Sequence, residues 1–203
     1  MPAVRLQKKN NGLLPDISGY PWQKRRDYLL LVAAVAAADN VLHKNELGLL
    51  EEWLDAFNLK NKSREDVLAV AKGKLKPNQP AVEKRLAGSG LAYSLLLDLM
   101  GMAMADGVLM DREISMLRRI ATNLQVDALS FNILIEFVHA VYQSAAMNNP
   151  EPLYEHSIDS AFLLLRNKKV RLFRHTLLCV ASHECDQNLK NRWYQFLKKK
   201  KSA

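Results

Sequence analysis

One nine-residue pattern occurs twice in this chain, and it constrains the fold more than any other feature. Ala105-Asp106-Gly107-Val108-Leu109-Met110-Asp111-Arg112-Glu113 aligns residue for residue with Ala38-Asp39-Asn40-Val41-Leu42-His43-Lys44-Asn45-Glu46. Each copy lies between two apolar stretches, 29–38 and 47–54 for the first, 95–105 and 114–124 for the second. Gly107 suits the left-handed turn that stops a helix, and Asn40 is the next best residue for it. A carboxylate at a helix C-terminus faces the negative end of the macrodipole, so Asp39 and Asp106 each need a compensating donor, cation or water. The chain therefore reads as an internal repeat of helix, acidic turn and second helix.

The remaining stretches extend this to an all-α helical bundle with a C-terminal helical extension. Pro21 suits the first turn of a helix running to about residue 38. In 44–57, Leu47, Leu50, Leu54 and Phe57 share a face, while Glu51, Glu52 and Asp55 point away. Ser63 and Asp66 suggest a capping box for a helix through about residue 75. Lys76-Pro77-Asn78-Gln79-Pro80 then breaks the chain. Residues 81–105 read as helix with a weak point at Gly88-Ser89-Gly90, and 111–124 as the helix after the second turn. Asp127 is placed to cap a helix reaching about residue 146, ahead of the break at Asn148-Asn149-Pro150-Glu151-Pro152. Further helical stretches are expected at 153–165, 170–184 and 189–200. The division that results is a mobile N-terminal arm, 1–19, a repeat domain, 20–147, and a helical extension with a basic tail, 148–203.

The repeated turn resembles the signature of the tellurite-resistance TerB-like domains. In that signature an Ala-Asp-Gly turn precedes a hydrophobic residue and, seven places after the aspartate, a glutamate. The second copy fits it, the first fits with Asn40 for Gly, and His43 and Met110 stand where the family often has Ser. The resemblance covers roughly residues 22–146. It implies a divalent-ion site, Ca²⁺ or Mg²⁺, made by Asp39, Glu46, Asp106 and Glu113. It also implies a scaffold role among protein partners in a bacterial stress-response or defence complex. On chemistry alone two readings stay open. Four hard oxygen donors at rigid helix ends suit such ions. Equally, the aspartates can accept backbone N–H bonds and the glutamates, near N3, can close helix caps.

Charge separates the chain into zones: +4 over residues 1–30, −5 over 31–165 and +9 over 166–203. The basic end carries Arg192, Trp193, Lys198, Lys199, Lys200 and Lys201, with Leu189, Phe196 and Leu197 on the apolar side of the same stretch. An anionic membrane surface or a nucleic acid suits that combination, and so does a plain solvated end. The alternatives to the TerB-like reading are accordingly a nucleic-acid-binding accessory subunit using the basic ends and a purely structural adaptor.

Two cysteines, Cys179 and Cys185, and no apolar stretch near the start point to the cytoplasm, with the inner membrane face as a peripheral setting. His175, Cys179 and His183 share a helical face, which serves either a borderline metal or a packed core cysteine. His139 and His156 are isolated, and no glycine-rich phosphate loop, G-x-S-x-G or H-E-x-x-H occurs. The expectation is a non-enzymatic protein. Asp98, within an apolar stretch, is either an interhelical partner or a further acidic group near the turns.

Overall fold

The computed structural model describes residues 17–37, 44–104, 109–146 and 152–168. Among these the chain is all helical. A single 3-10 turn, Ile17–Gly19, is followed by α1 (Trp22–Ala36), α2 (Lys44–Ala56), α3 (Asn61–Ala71), α4 (Gln79–Leu86), α5 (Ala92–Ala103), α6 (Asp111–Asn123), α7 (Ala128–Ala146) and α8 (Pro152–Asn167). Ile17 is buried, so the last residues assigned to the N-terminal arm belong to the packed structure.

α1 is the centre of the bundle. It packs against α2, α3, α4 and α5. From Asp27 to Val35 only Ala34 escapes full burial. A helix that is apolar all round must be covered on every side, and four neighbours do this. α5 plays the same part in the second half, touching α1, α6 and α7 with every residue from Ser94 to Met102 buried. A polar tie joins the two central helices: the Tyr28 hydroxyl donates to Asp98 Oδ2, with both residues fully buried. Asp98 is thus an interhelical partner. Tyr28 also packs its ring against Phe57 at 5.3 Å between centroids.

The predicted faces of the flanking helices hold. Leu50 and Leu54 of α2 and Phe57 just beyond it are buried, Leu47 is half-buried, and Glu51, Glu52 and Asp55 are exposed, with Trp53 also buried. In the register that places Asp39 on Asp106, helix limits coincide: Ala36 with Ala103, Lys44 with Asp111, Ala56 with Asn123, and Asn61 with Ala128. The same register pairs buried Leu50 with Leu117, Phe57 with Leu124, and Leu59 with Val126. It also pairs two helix ends of unusual backbone. Asn58 (φ 50°) and Gln125 (φ 62°) each follow the C-cap in the left-handed region. Both close the same paired bonds, Asn58 N–H to Asp55 O with Leu59 N–H to Leu54 O, and Gln125 N–H to Thr122 O with Val126 N–H to Ala121 O.

Four local readings change. α3 begins at Asn61, so Ser63 lies inside the helix and caps nothing. α3 stops at Ala71 because Gly73, at φ 66°, sends its N–H back to Val70 O while Lys74 N–H reaches Ala69 O. The stretch read as one helix over 81–105 is two. Gly88, at φ 62°, ends α4 and donates its N–H to Leu124 O at the end of α6. Asn78 is not merely part of a break: its Oδ1 accepts from Ala81 N–H at 3.3 Å and starts α4, with Pro80 in the first turn.

Asp127 caps α7 as the sequence indicates. Its Oδ1 accepts the Ser130 backbone N–H at 2.8 Å, and its Oδ2 accepts the Ser130 hydroxyl at 2.7 Å and Lys168 Nζ at 3.1 Å. The Ser130 bonds, with Lys168 adding to them, lower its carboxyl from 3.8 to about 2. A depressed carboxyl stabilises the fold above its unfolded pKa and loses that contribution as pH falls through its folded one. Asp127→Ala should therefore cost about 1 kcal/mol at neutral pH. The gap between variant and wild type in urea titrations should stay constant above about pH 4 and close towards about pH 2. Tyr28→Phe should cost about 1–3 kcal/mol in the same assay at an unchanged denaturant slope, because a buried carboxylate loses a donor.

Candidate functional site

The site suggested by the sequence lies in two links of equal length, residues 37–43 between α1 and α2 and 104–110 between α5 and α6. α1 ends with Ala37 N–H bonded to Ala33 O, and α5 ends with Met104 N–H bonded to Met100 O. Each link leaves a central helix and enters the first helix that packs beside it. Asp39 and Asp106 fall outside the described residues. Glu46 lies in the first turn of α2, with its side chain outside the described residues.

Glu113 is described, and its role is concrete. Met110 sits in the extended region at φ −80° and ψ 152° and precedes the first turn of α6. Glu113, at N3, turns back so that Oε2 accepts the Met110 backbone N–H at 2.8 Å. Met110 has no side-chain oxygen to accept the Glu113 backbone N–H, the other half of a capping box, and the glutamate supplies the returning half alone. Asp111 and Glu113 put two carboxylates in the first turn, where the helix dipole favours negative charge. Leu109 is buried just ahead of the turn and Met110 is exposed. The entry to α6 is thus pinned from the apolar side by Leu109 and from the polar side by Glu113. The cap reading is realised for Glu113, while its Oε1 is not used by this bond.

Other buried polar groups serve α4. Asp27, on α1, accepts two bonds from Arg85, Nε to Oδ2 at 2.5 Å and Nη2 to Oδ1 at 2.9 Å. The carboxylate raises the Arg85 pKa through this hydrogen bonding. Glu83, also buried, accepts from Asn123 Nδ2 at 2.7 Å on α6, with Arg119 Nη1 3.6 Å from its other oxygen. α4 is therefore joined by a cation to α1 and by an anion to α6. Sequence reading missed both ties. Their signal was only the placement of Asp27 at the edge of an apolar run, because the partners lie 58 and 40 residues away.

Among the described residues no group of three His, Cys, Asp or Glu side chains stands close enough to hold a metal ion, and no helix is long and apolar enough to cross a membrane. His139 lies within α7 and His156 on α8. His175, Cys179, His183 and the basic group Arg192, Trp193, Lys198, Lys199, Lys200 and Lys201 lie outside the described residues. No family model, no curated protein and no solved structure matches this chain.

Proposed function

We propose that this chain is a non-enzymatic, TerB-like helical scaffold. In this reading it is built from two copies of one helix–acidic turn–helix unit, and the two turns together hold a divalent cation, Ca²⁺ or Mg²⁺. The cation would fix the surface that protein partners of a stress-response or defence complex recognise. The observation that carries the reading is the coincidence of helix limits: two seven-residue links join equivalent pairs of helices in one register, each with an aspartate near its start and a glutamate in the turn beyond. Oxygen donors at the ends of rigid helices are the ligands that hard cations select. Glu113 is compatible with both duties, since one oxygen closes the cap and a carboxylate has a second to offer.

The test separates cap from ligand. A cation that binds only the folded chain raises its stability, by about 2.7 kcal/mol at a hundredfold excess over Kd. Asp39→Asn with Asp106→Asn should abolish that increment. Glu113→Gln keeps an amide oxygen for the Met110 N–H, so ion-free stability should hold while the increment shrinks. Glu113→Ala should cost about 0.5–1 kcal/mol even without the ion. Calorimetry showing no uptake of Ca²⁺ or Mg²⁺ would reduce all four carboxylates to helix caps and leave a structural adaptor.

A further inference from the structure

Residues 60–85 form a basic island inside the net-acidic middle of the chain, with eight Lys or Arg against three Asp or Glu. The acids offset little of this at the surface. Glu83 is buried, Asp66 is met by Lys62 at 3.2 Å, and Glu65 alone of the three is exposed. The surplus gathers at the α3–α4 link. Five consecutive residues, Lys72-Gly73-Lys74-Leu75-Lys76, are exposed. None of the three lysines has an ion-pair partner among the described residues. The Gly73 turn and the Lys74 and Leu75 N–H groups, both bonded to Ala69 O, fix the link to the end of α3. Leu75, between two of the lysines, stays 43% exposed.

Across a cleft from the link stands the start of α1. Arg26 lines that cleft with Leu75 and Lys76, and its guanidinium lies over the Trp22 ring, 5.8 Å from the centroid. Trp22 is 48% exposed. Arg26 and Arg85 share one buried carboxylate, Asp27, at 4.0 Å and 2.5 Å respectively, so this side also carries surplus positive charge. An aliphatic side chain and an indole thus stand exposed among uncompensated cations.

We propose that this face, the start of α1 with the α3–α4 link, docks on an anionic lipid surface. Lysines are drawn to anionic headgroups, and an indole settles at the headgroup level. Leu75 separates the two kinds of polyanion: an aliphatic tip gains by entering the acyl boundary of a bilayer, and the phosphates of a nucleic acid offer it nothing. The inference is independent of the cation site in the acidic turns.

The test is co-sedimentation of the full chain with vesicles of three parts phosphatidylcholine to one of phosphatidylserine, and with phosphatidylcholine alone. The chain should bind the mixed vesicles, more weakly as salt rises, and not the neutral ones. Each lysine near an anionic surface contributes about fivefold in affinity, so Lys72→Gln, Lys74→Gln and Lys76→Gln together should weaken binding about a hundredfold. Leu75→Ala keeps every charge and should weaken it about tenfold. The same factors should be lost when Lys198, Lys199, Lys200 and Lys201 are all Gln, which controls for the basic tail. The link residues are exposed, so circular dichroism should stay helical in these variants. No binding to the mixed vesicles would overturn the proposal. So would binding left unchanged by the triple variant or by Leu75→Ala, which would place the contact elsewhere. Binding to a single-stranded or duplex oligonucleotide that falls with the lysines and is indifferent to Leu75, without vesicle binding, would assign the face to nucleic acid instead.

Discussion

The structure depends on covering α1. Nine consecutive positions of this helix, Asp27 to Val35, carry eight buried residues, and no exposed stripe interrupts them. At about 25 cal/mol per Å² of apolar surface, a helix of this kind gains most of its stability from its neighbours, not from its own hydrogen bonds. α2, α3, α4 and α5 are arranged to supply that cover. Apolar packing has little directional preference, however, and a greasy cylinder can rotate in its socket. The Tyr28 bond to Asp98 fixes one rotation of α1 against α5, because only one places the hydroxyl at the carboxylate.

α4 solves a related problem. It is short, eight residues, and so marginal as an isolated helix. It carries Glu83 and Arg85, opposite charges two positions apart that point to different neighbours. Glu83 engages Asn123 and Arg119 on α6, and Arg85 engages Asp27 on α1. Desolvating such groups costs more than burying apolar ones, and a mispacked arrangement would leave a carboxylate unpaired. The pairs therefore specify which helices meet, more than they add net stability. The Gly88 N–H to Leu124 O bond fastens the far end of α4 to the same helix, α6, that Glu83 engages.

Much of this was legible in the chain. Helical spacing located α2 and α6 and named most of the buried face of α2. Asp127 identified itself as a cap because aspartate before an apolar run has one dominant local use, whereas for Glu113 the cap was one of two readings that its distance from the turn left open. Local chemistry failed where the backbone overrode residue preference. Gln125 adopts positive φ without being glycine or asparagine, since the two bonds closed there outweigh the steric cost. Ser63 looked like a cap, but α3 had already started at Asn61. The Asp27–Arg85 and Glu83–Asn123 ties were invisible because nothing local distinguishes a lone buried carboxylate from a surface one. Only the fold brings distant partners together.

The burial of α1 has a consequence for biosynthesis. α1, the helix that tolerates least contact with water, leaves the ribosome ahead of every helix that covers it. Its polar anchor on α5 lies 70 residues further along the chain, and α4 and α5 are still untranslated when α1 is complete. At 5–20 residues per second, several seconds separate the appearance of this surface from the arrival of its last partner. A nascent chain of this design spends that interval with an apolar segment that its later helices have yet to cover.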